Sequence, residues 1–348
     1  MQVSTIGLDL AKRVFQVHGV DAAGRVVLRR KLRRAEMEAF FAGLAPCLVG
    51  IEACATAHHW ARVLQAHGHE VRLIPPAYVK PYIRRGKTDA ADAEAICEAV
   101  GRPNMRFVPV KSEQQQAALL QHRARDLLVR QRTMLVNALR GHFAEFGIVA
   151  PAGQRRVGQL IALLQDEEAS SIPPLAREGL RGLAAALHAL EERIEAIEAV
   201  LMREHKANPV SRRLATIPGI GPITASALAA TIADPGLFRS GRELAAWIGL
   251  VPKPHASGGK QKLGRVSKQG DRYLRKLLTV GATAVMRHLA GKTDRLSAWT
   301  RELMGRRPFR LASLALANKM ARIAWAVMAR GETYRSSPAP MPAAAVPA

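Results

Sequence analysis

Four acids in the first hundred residues have types and spacings that can do chemistry. Asp9 lies near the end of the apolar run Val3-Ser-Thr-Ile-Gly-Leu-Asp-Leu10, and Glu52 directly follows Cys47-Leu-Val-Gly-Ile51. Asp89 and Asp92 stand three apart in Lys87-Thr-Asp-Ala-Ala-Asp-Ala-Glu-Ala-Ile96, a spacing that puts both on one face of a helix. If the two apolar runs are neighbouring strands, Asp9 and Glu52 converge at one sheet edge, where Asp89 and Asp92 can face them. Carboxylates crowded in this way repel one another unless divalent cations neutralise them, and hard oxygen ligands suit Mg²⁺, or Mn²⁺. Such a centre activates a nucleophile and stabilises the leaving oxygen in phosphoryl transfer. Taken singly, each acid also reads as a helix cap or dipole partner. His58 and His59 read as helix-face or core histidines before metal ligands.

The second half offers a different chemistry. Leu214-Ala-Thr-Ile-Pro-Gly-Ile-Gly-Pro-Ile-Thr-Ala225 has the pattern of a helix-hairpin-helix turn. In it Gly219 and Gly221 let the backbone approach a phosphate, and the amides opening the next helix can hold it; the plain alternative is a tight turn between packed helices. Lys253, Lys260, Lys262, Arg265, Lys268, Arg272, Arg275, Lys276 and Arg287 follow, opposed only by Asp271. A solvated helix face mixes its charges, so this run predicts a phosphate-binding surface that gives affinity without base specificity. In its midst, His255-Ala-Ser-Gly-Gly-Lys-Gln-Lys-Leu-Gly-Arg265 reads as a flexible loop presenting Ser257. A hydroxyl among cations can attack a phosphodiester once a base or metal activates it.

The elements that must position these groups follow from patterning. Strands are expected around Val3–Leu10, Phe15–Val20 and Arg25–Leu32, with a turn at Asp21-Ala-Ala-Gly24. A helix near Ala35–Leu44, a buried-type strand at Cys47–Ile51, a helix near His58–His67 and a strand at Val71–Ile74 complete a mixed sheet flanked by helices. A basic helix is expected over Ser112–Phe146, opened by Ser112 and Gln115 in capping-box spacing. Leu180, Leu183, Leu187, Leu190, Ile194, Ile197 and Leu201 then recur in alternating steps of three and four, which predicts a coiled coil or a helical hairpin. Residues 1–110, 111–208 and 209–332 thus separate into an α/β domain, a helical connector and a mainly α-helical domain. The Pro- and Ala-rich end, 333–348, is expected to be disordered.

The chain has 52 Lys+Arg against 28 Asp+Glu, a net charge of +24, so its natural partner is a polyanion. No stretch has the length of a spanning helix and the first residues do not read as an export signal, so a cytoplasmic protein with no membrane partner is expected. Cys47, Cys54 and Cys97 lack the spacings of a zinc site and are expected to be reduced, buried thiols. At 5% aromatic residues the chain is poor in stacking platforms, so phosphate contacts should dominate.

At this point the chain resembles a known family, the DEDD transposases of insertion sequences of the "IS one-ten" type. The matching stretches are Ile6-Gly-Leu-Asp-Leu-Ala-Lys12, Ile51-Glu-Ala-Cys54, Val71-Arg-Leu-Ile-Pro-Pro-Ala-Tyr-Val-Lys-Pro81 and Lys87 through Ile96. In the second half they are Ile217-Pro-Gly-Ile-Gly221, Trp247-Ile-Gly-Leu-Val-Pro252, Ser257-Gly-Gly-Lys260 and Leu263 through Leu274. The resemblance implies a ribonuclease-H-like (RuvC-like) domain joined through a coiled coil to a helical transposase domain. It matches Asp9, Glu52, Asp89 and Asp92 to four acids that hold Mg²⁺, and Ser257 to a serine that attacks DNA and forms a transient phosphoserine link. It further implies donor and target DNA as substrates and a structured guide RNA as partner, while the apolar seam from Leu180 to Leu201 predicts self-association as a homo-oligomer, dimer or tetramer. The family often has two adjacent hydroxyl residues before the Gly-Gly; here the first is Ala256, so Ser257 is the candidate in that loop and Ser267 the alternative. Two other readings stay open: a resolvase-like metal nuclease that uses water, and a non-catalytic nucleic-acid-binding protein.

Overall fold

The structure, a computed structural model, describes residues 2–83, 88–151, 156–165 and 172–337. Most of the tail expected to be disordered, from 338 onward, lies outside the described residues. The chain divides into two compact units, Met1–Glu113 and Gln114–Ala348.

In the first unit, β1 (Thr5–Leu10), β2 (Val14–Val20) and β3 (Val26–Arg33) form an antiparallel meander, while β4 (Leu48–Glu52) and β5 (Glu70–Ile74) add in parallel. The strand order is β3-β2-β1-β4-β5, the mixed sheet that patterning calls for. Two short helices, α1 (Met37–Ala42) and α2 (Ala57–Ala66), cover one face. There Ile6, Leu8, Phe15, Val17, Val49 and Ile51 pack against Met37, Phe41, Trp60 and Leu64. The helix expected over Ala35–Leu44 is shorter than its pattern because Arg34–Glu36 takes a 3-10 turn. A further turn of helix, α3 (Pro76–Val79), follows Pro75.

The opposite face receives α4 (Asp89–Val100). Alternation along a strand sends odd-numbered residues of β1 to that face, and the residue there is Gly7. A Cβ on Gly7 would overlap the Ala93 carbonyl oxygen and the Cys97 backbone nitrogen, and one on Gly50 would lie 2.7 Å from the Val100 Cβ. The helix therefore rests directly on the backbone of β1 and β4. Cys47 and Cys97 are buried and free; Cys54 is free but exposed, contrary to the expectation of a buried thiol, because it sits in the turn between β4 and α2.

The second unit is helical. The long helices α5 (Glu113–Glu145) and α7 (Pro174–Ala207) bracket the short α6 (Val157–Ala162). Arg125 pairs with Glu198 towards one end, and Val136, Leu139 and Phe143 share a core with Leu180 and Leu187 towards the other, so α5 and α7 run antiparallel as a helical hairpin. Leu180, Leu187, Ile194 and Leu201 are buried within the chain itself; Leu183, Leu190 and Ile197 are half-buried.

Beyond them α8 (Pro209–Leu214), α9 (Pro222–Thr231), α10 (Gly241–Ile248), α11 (Arg272–Arg287), α12 (Arg295–Arg306) and α13 (Phe309–Arg330) share one core. Buried His122 of α5 reaches Ser226 of α9 at 3.1 Å and Tyr273 of α11 at 3.3 Å, and burial pushes its pKa down to about 4, so it is held neutral.

One element breaks the helical pattern. The segment read as a flexible loop is a β-hairpin, β6 (Pro252–Ser257) and β7 (Lys260–Val266). Gly258 and Gly259, both at positive φ (55° and 75°), make its two-residue turn, which matches the twist of paired strands. The period-two signal is missing from the sequence because both faces of β6 are exposed.

Packing of α4 on bare backbone gives a direct test. Gly7→Ala is expected to cost about 1–3 kcal/mol through overpacking, whereas Gly179→Ala, in open space on α7, should stabilise by about 0.5–1 kcal/mol. Urea unfolding of the full chain measures both, and an unchanged midpoint for Gly7→Ala would contradict the contact.

Candidate functional site

The contact of α4 with the sheet brings the acids together. Asp9 lies on β1 and Glu52 ends β4, one step beyond the parallel pair Leu8–Ile51, so both stand on the face that α4 covers. Thr88, not singled out from sequence, caps α4: its hydroxyl accepts from the Ala91 backbone amide at 3.2 Å. A threonine just before an acid-rich helix is a legible capping signal. The cap fixes the first turn, which carries Asp89 and Asp92. One carboxylate oxygen from each of Asp9, Asp89 and Asp92 lies within 4.8 Å of the others. Glu52 is outside that trio, but its charge acts on Asp9.

The electrostatics are those of a site short of positive charge. Burial, then the charges of Asp92, Asp89 and Glu52, push the Asp9 carboxyl up to about 6. Among the described residues, none of the side chains acting on it is a cation. The Asp92 Oδ1 is buried and has no hydrogen-bond partner among the described residues, a cost of about 1–3 kcal/mol for an unsatisfied polar atom. Clustered oxygens and an orphaned acceptor together fit a divalent cation with hard-ligand preferences. Asp9, Asp89 and Asp92 would hold it, with Glu52 at the margin. The histidines stand apart: the Lys111 amide donates to His58 Nδ1 at 3.2 Å, and His59 packs edge-on against Trp60.

In the second unit, Ser257 is the last residue of β6, exposed and paired with Lys260, while His255 pairs with Lys262. Lys253, Lys260, Lys262, Arg265, Lys268 and Arg272 are exposed. Arg275 is engaged differently: its guanidinium donates to the Ile248 and Gln269 carbonyls, both at 2.7 Å, and so pins the hairpin root. Lys276 pairs with Asp126, and Asp271 caps α11 through the Tyr273 and Leu274 amides. The alternative serine, Ser267, has its hydroxyl oxygen buried and without a partner among the described residues. Gly219 adopts a φ of +83° and touches Val285, Met320 and the Gly281 backbone, so packing of this turn on α11 and α13 requires it. Gly221, exposed at the N-cap of α9, has open space around it.

The raised pKa of Asp9 has a measurable consequence. Between about pH 4 and 6 the folded, metal-free protein binds more protons than the unfolded chain, so stability declines as pH rises through that window and stays low above it. Asp9→Asn should therefore be more stable than wild type in EDTA at pH 7.5, by about 1–2 kcal/mol after solvent screening, with the advantage gone at pH 4. Mg²⁺ should raise the melting temperature of wild type and not of Asp9→Asn. Equal Mg²⁺ shifts in the two, measured by calorimetry, would contradict a cation held by Asp9.

Comparison with known proteins agrees with this arrangement. Residues 6–148 match a transposase family of the DEDD, IS110 type, and residues 211–298 match the family described as "Transposase IS116/IS110/IS902 family". A protein of Pseudomonas aeruginosa described as "Probable family 20 transposase" is 51% identical over 96% of this chain and 99% of its own length. The transposase for insertion sequence element IS1111A of Coxiella burnetii is 40% identical over 96% of this chain and 92% of its own. That for IS1328 of Yersinia enterocolitica is 40% identical over 95% and 98%. No helix among the described residues is long and apolar enough to cross a membrane. A carboxylate cluster on a mixed sheet, a basic helical second unit and relatives that span nearly the whole chain lead to one conclusion: the chain belongs to the IS110 family of transposases, enzymes of DNA recombination.

Proposed function

We propose that this transposase cuts and exchanges DNA strands by a metal-dependent attack of Ser257, with Asp9, Glu52, Asp89 and Asp92 as the metal-holding set. The convergence of the Asp9, Asp89 and Asp92 oxygens is the observation that carries the reading. A Mg²⁺ or Mn²⁺ ion, when bound, supplies charge stabilisation to the phosphodiester and its departing oxygen. Ser257 Oγ forms a bond to phosphorus as one ester P–O bond breaks, its proton passing to solvent or a base and a proton going to the departing oxygen. The phosphoserine ester conserves the energy of the broken bond, so a second strand's hydroxyl can displace serine and rejoin the DNA. Exposure of Ser257 opposite Lys260 favours it over Ser267, whose oxygen is buried.

Several further parts of the reading belong to the same proposal. The strand order β3-β2-β1-β4-β5, antiparallel then parallel, supports a ribonuclease-H-like catalytic domain over 1–110. In this reading 111–208 is the helical connector and 209–332 the transposase domain. Lys260, Lys262, Arg265, Lys268 and Arg272, with the amides after Gly221, would hold phosphates of donor and target DNA and of a structured guide RNA. A surface that reads backbone and not bases suits an enzyme whose sequence choice is delegated to base pairing. Self-association, as a dimer or tetramer, would use the half-buried positions Leu183, Leu190 and Ile197 of α7.

A denaturing gel of protein with end-labelled element DNA tests the chemistry. Wild type should give a DNA-linked protein band, Ser257→Ala should lower it by about a hundredfold or more while still binding DNA, and Ser267→Ala should keep it. The same band in wild type and Ser257→Ala would overturn the serine assignment. Cleavage by wild type with no linked band at any time would favour water as nucleophile.

A further inference from the structure

The sheet face that carries Asp9 continues into a cleft with its own chemistry. Register places Gln16 opposite Asp9 and Lys31 opposite Gln16; one row back, His18 faces Gly7 and Arg29 faces His18. The N-terminal turns of α4 wall this face on one side, leaving a cleft of about 390 Å³ lined by Gln16, His18, Arg29, Lys31, Thr88 and Glu94 among others. Arg29 and Lys31 are exposed and make no ion pair among the described residues. Three other cations on and around β3 are engaged: Arg30 lies over the Phe40 ring, Arg34 over Phe15 and Trp60, and Arg25 pairs with Asp21. Glu94, the one acid lining the cleft, acts on buried His18. Lys31 on the row of Asp9 and Arg29 one row back thus stand beside an acid cluster that repels a polyanion.

Resting on the metal-centre reading above, we infer that Arg29 and Lys31, with Gln16 between Lys31 and Asp9, form a subsite for a backbone phosphate flanking the scissile one on the DNA strand being cut. Two interstrand spacings, about 10 Å, separate Lys31 from Asp9, a distance that suits a nearby phosphate of the same strand. The Gln16 amide can donate to a phosphate oxygen along the way. Charge-assisted contacts of this kind carry no sequence information; they fix where the strand lies. Their effect is to hold the scissile phosphate against the carboxylates in a reactive geometry.

The test uses the full-length protein and element-end DNA in which one phosphate at a time is a neutral methylphosphonate, with equilibrium binding read separately from cleavage. Wild type should bind about tenfold more weakly when one phosphate beside the cleavage point is neutral. The double variant R29Q/K31Q should bind unmodified DNA about tenfold more weakly, lose sensitivity at that position, and titrate Mn²⁺ like wild type. R29K/K31R, which keeps both charges, should restore binding, and this guards against a folding defect. Wild-type affinity in R29Q/K31Q, or an unchanged sensitive position, would overturn the subsite. Cleavage by Asp9→Asn would instead overturn the metal reading and leave the binding result standing, so the two failures are distinguishable.

Discussion

Close approach of α4 to the backbones of β1 and β4, its own backbone against Gly7 and its Val100 side chain against Gly50, is what the acidic site depends on. A helix normally sits about 10 Å from a sheet, spaced by side chains; here glycine removes the spacers at two neighbouring strand positions. The gain is geometric: the first turn of α4, capped by Thr88, is lowered onto the same sheet face as Asp9. The cost is repulsion among carboxylates, visible in the raised pKa of Asp9 and the orphaned oxygen of Asp92. A divalent cation offsets both, which is why the strain in the metal-free protein and the proposed catalysis are two aspects of one arrangement.

Charge is segregated with the same logic. The chain carries +24 overall, yet Asp9 and Glu52 of the sheet meet Asp89 and Asp92 of α4 at one face, while Lys253, Lys260, Lys262, Arg265, Lys268 and Arg272 stand exposed on and after the hairpin of the second unit. Neither feature alone specifies recombination. Metal-held carboxylates serve water-using nucleases equally well, and in the proposed mechanism it is the exposed serine that would admit a covalent, rejoinable intermediate.

Much of this was legible from sequence, and the failures have physical causes. The five strands follow from short apolar runs bounded by turn signals and the i, i+3 acids from helix geometry, because both are local patterns. Gly7 and Gly50 look like ordinary strand glycines until the helix above them is placed, so the constraint that assembles the site is invisible in one dimension. The hairpin at Pro252–Val266 has no buried face, so nothing in its hydrophobicity alternates. Arg275 reads as one more free cation in a basic run, but its guanidinium bonds two carbonyls. Gly219, a plausible phosphate cradle on paper, is required by contacts with α11 and α13. The heptad pattern marks a real seam, but the structure buries Leu180 and Leu187 of it in the core of the chain's own helical hairpin.

The central claim is that Asp9, Asp89 and Asp92, with Glu52 beside them, form a divalent-cation site. Anomalous diffraction from crystals of the full-length protein soaked in Mn²⁺ measures this most directly. The account predicts a manganese peak within coordination distance of the Asp9, Asp89 and Asp92 carboxylates, absent from Asp9→Asn crystals grown alike. Manganese bound elsewhere, with the three carboxylates left without an ion, would contradict it.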